Sequence, residues 1–193
     1  GGRFLGPAEV AGVTAGVVGR GTGCDSNDRF GIAGVGINSR GESHIGGFSD
    51  QPGSEVVALC DVDRKVLEGR AAALEAKTGK KPKTFVDMRD LFADDGIDAV
   101  TFATPNHWHS LAAIWACQAG KDVYVEKPMS HTVWEGRQLV AAAEQTGRIV
   151  QVGTQRRSEP QWQRLVERLK AGVIGDIYAA RVIHYSPRPP VPF

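Results

Sequence analysis

Short apolar runs alternate with amphipathic stretches from residue 28 onward, a pattern that predicts a parallel sheet with crossover helices. Strands are expected at 29–35, 55–60, 83–85, 98–103, 122–125 and 149–152. The second of these, EVVALC, is a nearly unbroken apolar run, as suits a strand covered on both faces. A helix is expected at roughly 43–49, and another at 64–78 with Leu67, Ala71 and Leu74 on one face and Gly79 behind it. A short helix fits 88–93, and a longer one leads from Thr104-Pro105-Asn106 to Ala119, with Gly120 as its cap. Residues 132–146 form a further helix ahead of Gly147. Trp162, Leu165, Val166 and Leu169 stand at i, i+3, i+4 and i+7, the apolar face of an amphipathic helix. Residues 177–185 (IYAARVIHY) read as a strand that opens a new sheet. Six strands joined by right-handed crossovers make a doubly wound α/β sheet, without internal repeats or low-complexity insertions.

The pattern divides the chain into a tail over 1–27, a doubly wound domain over 28–158 and the beginning of an incomplete α+β domain over 159–193. Arg3-Phe4-Leu5 and the small apolar stretch behind it are similar to the remnant of a twin-arginine leader with one arginine missing. The alternative is a disordered tail. A leader implies export to the periplasm, and a tail leaves the cytoplasm as the default. Lys plus Arg is 23 and Asp plus Glu 22, so no electrostatic footprint for nucleic acid or an anionic membrane exists. No run approaches the ~18 apolar residues of a membrane helix. The three cysteines, Cys24, Cys60 and Cys117, include no CxxC pair, so neither a disulfide framework nor a zinc site is expected.

Candidate chemistry begins at Gly31-Ile32-Ala33-Gly34-Val35-Gly36, which closes the first strand. Gly34 is read as permitting the tight turn, and Gly36 as letting a pyrophosphate approach the backbone. The following helix start offers N–H groups and partial positive charge to the phosphates. The third glycine of a GxGxxG pattern would fall at Ser39, and Gly41 comes two residues late, as in a slightly longer loop. Asp61 follows the second strand at once, where a carboxylate accepts both hydroxyls of an adenosine ribose and repels a 2′-phosphate. The competing reading has Asp61 capping the next helix, a task that Asp63 could equally perform. Asp61 favours NAD over NADP, with Arg64 nearby tempering the preference.

Two further strand ends are densely polar, where open α/β sheets bind their ligands. After the fourth strand come Thr104, Pro105, Asn106, His107, Trp108 and His109. Asn106 is read as an N-cap, and the i, i+2 histidines would not face one way on a helix, so no shared metal is expected. After the fifth come Glu126-Lys127-Pro128, a sharp turn compatible with a cis proline bond. Lys127 at a cofactor cleft would hydrogen-bond a substrate hydroxyl and stabilise its developing alkoxide. Alternatively, Glu126 and Lys127 form a surface ion pair of little consequence.

GIAGVG, ALCDVD, ATPNHWHS, VYVEKPMSHT and VQVGTQRRS, in this order over about 29–158, resemble the Gfo/Idh/MocA family. The resemblance implies an NAD(P)-binding Rossmann domain followed by an open, mostly antiparallel sheet domain. It assigns Gly34, Gly36 and the Ser39 loop to the pyrophosphate and Asp61 to the ribose. Thr104, Pro105, Asn106 and His109 would line the nicotinamide side. Glu126 and Lys127 match the family's EKP motif, whose lysine contacts substrate and nicotinamide. Gln155 and Arg156 would lie at the domain crossing and touch the ligand. The family's later Asp/His acid–base pair has no counterpart before Phe193, and His184 does not match it, so a piece of a protein about twice as long is expected.

The activity implied is NAD-dependent hydride transfer to or from a secondary alcohol of a sugar or cyclitol, with Lys127 as the catalytic residue. The alternatives are an NAD-using glycoside hydrolase of the same family and a nucleotide-binding module without catalysis. The implied partner is a small sugar or polyol, and homo-oligomers are expected of the full-length protein.

Overall fold

The computed structural model describes residues 29–183. Its elements run β1 (Phe30–Val35), α1 (Arg40–Ser49), β2 (Ser54–Cys60), α2 (Arg64–Thr78), β3 (Lys83–Phe85), α3 (Met88–Phe92) and β4 (Ala99–Phe102). They continue with a 3-10 turn at Asn106–Trp108, then α4 (His109–Gln118), β5 (Asp122–Glu126), α5 (Val133–Thr146) and β6 (Val150–Gly153). A second 3-10 turn at Gln155–Ser158 leads into α6 (Pro160–Lys170). The six strands form one sheet in the order β3-β2-β1-β4-β5-β6, every neighbouring pair parallel. That is the doubly wound Rossmann arrangement, with its switch point between β1 and β4.

The apolar runs have the burial expected of them. Ala33, Val35, Phe102, Val125, Leu91, Ala112, Ala116 and Leu139 form one core that joins the sheet to α3, α4 and α5. Ile37, Ile45, Val56, Leu59, Leu67, Ala71 and Leu74 form a second with α1 and α2. Each fully buried aliphatic side chain contributes about 1.5–3 kcal/mol over its exposed state. Helix ends are fixed locally: the Asp63 carboxylate accepts the Lys65 and Val66 amides at the start of α2. Thr132 and Glu135 make a reciprocal capping box on α5, and Gly79 and Gly147 close α2 and α5 with positive φ.

Four expectations require correction. α1 begins at Arg40, three residues before the amphipathic pattern suggested, because its first turn packs Gly41 against the Gly36 carbonyl and presents no apolar side chain. Asn106 does not cap a helix; it lies in a 3-10 turn closed by Trp108 N–H to the Pro105 carbonyl (2.9 Å), and α4 starts at His109. Gly34 is the fifth residue of β1 and not the turn, which falls at Gly36 with φ 73°. Over 177–183 the chain forms no strand, since an extended run needs a neighbouring strand to complete its ladder. The leader-like segment, His184 and the end of that run lie outside the described residues.

The chain divides into two units, one up to Thr154 and one from Gln155. The first contains the sheet; the second has α6, on which no residue is buried. Among the described residues no helix is long and apolar enough to cross a membrane.

Candidate functional site

The carboxyl ends of β1, β2, β4 and β5 bring the first unit's polar segments to one end of the sheet. β1 passes into its loop at Gly36, whose N–H bonds the Cys60 carbonyl at the end of β2 (3.0 Å). A Cβ on Gly36 would lie 2.9 Å from the Thr104 nitrogen, so the loop passes the segment that follows β4 at a distance only glycine permits. A Cβ on Gly41 would overlap the Gly36 carbonyl oxygen. Gly41, in the first turn of α1, therefore performs the close-packing task of the third glycine, and Ser39 does not. Gly34 would meet only ordinary contacts, none nearer than 3.4 Å. Ser39 is exposed, with φ 48°, a left-handed conformation costly for a residue with a side chain.

Asp61 faces the glycine loop from the end of β2. Its Oδ2 accepts the Ile37 N–H and its Oδ1 the Asp63 N–H, both at 3.0 Å. Asp63 performs the helix capping, which leaves Asp61 half-buried at the loop with lone pairs to spare. A groove of about 350 Å³ lined by Asn38, Lys65, Val66, Gly69 and Arg70 runs beside the loop.

Thr104 follows β4, and its Oγ1 is buried without a hydrogen-bond partner, the one such side-chain oxygen or nitrogen among the described residues. An orphaned hydroxyl is costly and points to a ligand that completes it. Pro105, Asn106 and His107 are exposed. His109 is 1% exposed, and its ring spans the Thr104 carbonyl (Nε2, 2.8 Å) and the Pro128 carbonyl (Nδ1, 2.6 Å). A neutral ring has one N–H and donates to one of these carbonyls at a time, so His109 lies between the loop after β4 and the turn after β5 with no ring nitrogen left to face outward. Ser110 adds a hydroxyl bond to the Met129 carbonyl at 3.1 Å.

The Lys127-Pro128 bond is cis. Lys127 is exposed, whereas Glu126 is 5% exposed and turned inward, so the two are not a surface pair. Glu126 Oε1 lies 3.0 Å from His44 Nε2 and 3.6 Å from Arg40 Nε, and Oε2 accepts the Lys127 N–H at 3.1 Å. His44, buried between Thr101 and Glu126, is a residue that the motif reading passed over. Burial lowers its pKa below the usual 6.5, against the opposing hydrogen bond and charge of Glu126. Gln155 and Arg156 occupy the 3-10 turn of the second unit.

Burial, reinforced by Asp61, Asp87 and Asp90, pushes the Cys60 thiol up to about 12; burial also raises Cys117 to about 11. Both remain thiols at neutral pH, without nucleophilic or redox-sensing character. No group of three or more His, Cys, Asp or Glu side chains suited to a metal ion occurs among the described residues.

A family model described as an oxidoreductase family with an NAD-binding Rossmann fold, Gfo/Idh/MocA, matches residues 29–154. Inositol 2-dehydrogenase 1 of Saccharopolyspora erythraea is 35% identical over 83% of this chain and 46% of its own length. A glycosyl hydrolase family 109 protein of Shewanella baltica is 36% identical over 58% of the chain and 25% of its own. Among solved structures, the WlbA dehydrogenase from Bordetella pertussis, in complex with NADH and UDP-GlcNAcA, is 30% identical with a TM-score of 0.68. That match covers 79% of this chain and 42% of the other. The chain thus spans less than half the length of these relatives.

Proposed function

The chain belongs to the Gfo/Idh/MocA family of oxidoreductases with an NAD-binding Rossmann fold, and on that premise we propose that its first unit binds NAD in preference to NADP. The whole protein is proposed to move hydride between that cofactor and a secondary alcohol of a sugar or cyclitol. The observation that carries the reading is the meeting of Gly36, Asp61 and the orphaned Thr104 hydroxyl at one end of the sheet. The residues fit the cofactor: a glycine cradle for pyrophosphate, a carboxylate for ribose hydroxyls, and a buried hydroxyl lacking a partner. When bound, the nicotinamide supplies the hydride acceptor or donor. Gly36 and the Ser39 loop approach the phosphates, and Gly34, inside β1, supports that loop from behind. Asp61 accepts the adenosine ribose hydroxyls.

Thr104, Pro105 and Asn106 line the nicotinamide side, held by His109, and Glu126 supports the turn that carries Lys127. The Lys127 ammonium group donates to the substrate hydroxyl oxygen and stabilises its negative charge as a base contributed by the substrate domain takes the hydroxyl proton. Gln155 and Arg156 are proposed to reach the ligand from the second unit, and residues 159–193 to begin the substrate domain. The likeness to glycosyl hydrolase family 109 proteins favours a second reading, in which tightly retained NAD serves a glycosidase without net redox change. Turnover of a nitrophenyl glycoside by the full-length protein without added NAD distinguishes it.

Calorimetric titration with NAD and NADP tests the cofactor assignment. The chain is expected to bind NAD more tightly, and Asp61→Ala to weaken NAD by roughly ten- to a hundredfold, the range for a lost hydrogen bond to a charged group, while sparing NADP. Equal losses for both cofactors reject the ribose role of Asp61.

A further inference from the structure

His44 lies on α1, three residues beyond Gly41, and is 7% exposed. Its ring spans two strands: Nδ1 is 2.7 Å from Thr101 Oγ1 on β4, and Nε2 is 3.0 Å from Glu126 Oε1 on β5. Tyr124, also on β5, sets its ring edge-on to the imidazole at 5.2 Å. A buried imidazole is costly unless both nitrogens are partnered, and here both are. A carboxylate only accepts, so Nε2 carries the proton and donates to Glu126. Nδ1 then accepts the Thr101 hydroxyl, which assigns the tautomer from the hydrogen-bond network. Glu126 Oε2 accepts the Lys127 backbone N–H, so bonds run without a break from β4 through α1 to the lysine. The far side of the same turn packs against His109, whose Nδ1 lies 2.6 Å from the Pro128 carbonyl.

We propose that His44 is a positioning residue which, through Glu126, fixes the Lys127 turn to the helix that starts from the glycine loop. The phosphate-binding and nicotinamide ends of the site then share one buried link. The inference rests on the NAD reading above and deepens it by naming what aligns its two halves. Lys127 remains exposed, so its position is set by the backbone on either side of it. The adenosine end keeps its own bonds, from Gly36 N–H to the Cys60 carbonyl and from Ile37 N–H to Asp61. It is expected not to respond to changes at His44.

Two near-isosteric variants of the 193-residue chain separate this role from general packing. His44→Gln places an amide N–H near the Nε2 position, facing Glu126. His44→Asn ends near the Nδ1 position, facing Thr101, and withdraws the donor from Glu126. Each is titrated with NAD and with ADP-ribose, which lacks the nicotinamide. The Gln variant is expected to match the wild type for NAD, and the Asn variant to bind roughly ten- to a hundredfold more weakly. ADP-ribose affinity stays within about twofold for all three, as for independent sites.

Equal NAD affinities for the two variants, or ADP-ribose affinity falling in step with NAD, overturn the positioning role. A wild-type chain that binds neither ligand rejects the cofactor reading and this inference with it. Amide exchange in the ligand-free chain separates the two failures. The Lys127 amide is expected to exchange about tenfold faster in the Asn variant than in the Gln variant. Equal rates there reject the link itself, whatever the ligands do.

Discussion

A buried imidazole resists protonation, and at His44 burial outweighs the hydrogen bond and charge of Glu126, while Arg40 adds a smaller push in the same direction. The ring meets the Thr101 hydroxyl, the Glu126 carboxylate and the Tyr124 ring, and the Arg40 charge acts on it from beside Glu126. The unfolded chain takes up the His44 proton near pH 6.5, and the folded chain only at lower pH. Below about pH 6.5 the unfolded state therefore binds more protons, and folding stability falls with pH until the folded pKa is passed. Urea unfolding midpoints of the wild type are expected to drop across that window, and His44→Gln to shrink the drop. An unchanged pH slope means that His44 is not held neutral. His44 also shows what the sequence could not reveal. Gly36, Asp61 and Lys127 sit in local motifs, whereas His44 is a lone histidine in a helix whose partners stand 57 and 82 residues away. Only the strand order brings them together.

Helix α1 turns on a similar point of geometry. Its start was misplaced because the first turn, Arg40-Gly41-Glu42, carries no apolar side chain for periodicity to register, and the glycine pattern looked broken because the loop is two residues longer than GxGxxG. The strands and the other long helices were legible because apolar periodicity and glycine stops operate locally. The run over 177–183 has strand composition but no ladder among the described residues, since pairing is not written in a segment alone. Gly41→Ala is expected to destabilise the chain by about 1–3 kcal/mol, because its Cβ would overlap the Gly36 carbonyl, and to weaken NAD binding with it. Gly46→Ala and Gly47→Ala, in the same helix, meet nothing within 4 Å and are expected to stabilise it by about 0.5–1 kcal/mol. Urea denaturation of the three variants decides between close packing and mere helix propensity as the reason for glycine at position 41.

At the scale of the whole molecule, the division into two units, taken with the proposed site, predicts that ligand binding is local. Gly36, Asp61, Thr104 and Lys127 all belong to the unit that ends at Thr154, while Gln155, Arg156 and α6 belong to the next. A ligand that binds only the folded site stabilises it by about 2.7 kcal/mol at a hundredfold excess over its Kd, which slows globally exchanging amides about a hundredfold. Hydrogen exchange with NAD is thus expected to protect β1, β2, β4 and β5 to that extent. Helix α6 buries none of its residues and should exchange at its ligand-free rate. The 3-10 turn at Gln155–Ser158 decides the remaining assignment, because its amides gain protection with NAD only if Gln155 and Arg156 reach the ligand. Protection of the sheet without that turn would confine the binding site to the first unit. Protection of the turn together with the sheet would support the proposed reach of Gln155 and Arg156 to the ligand. Uniform protection including α6 would mean that the two units respond as one cooperative body, and that the local view of binding is wrong.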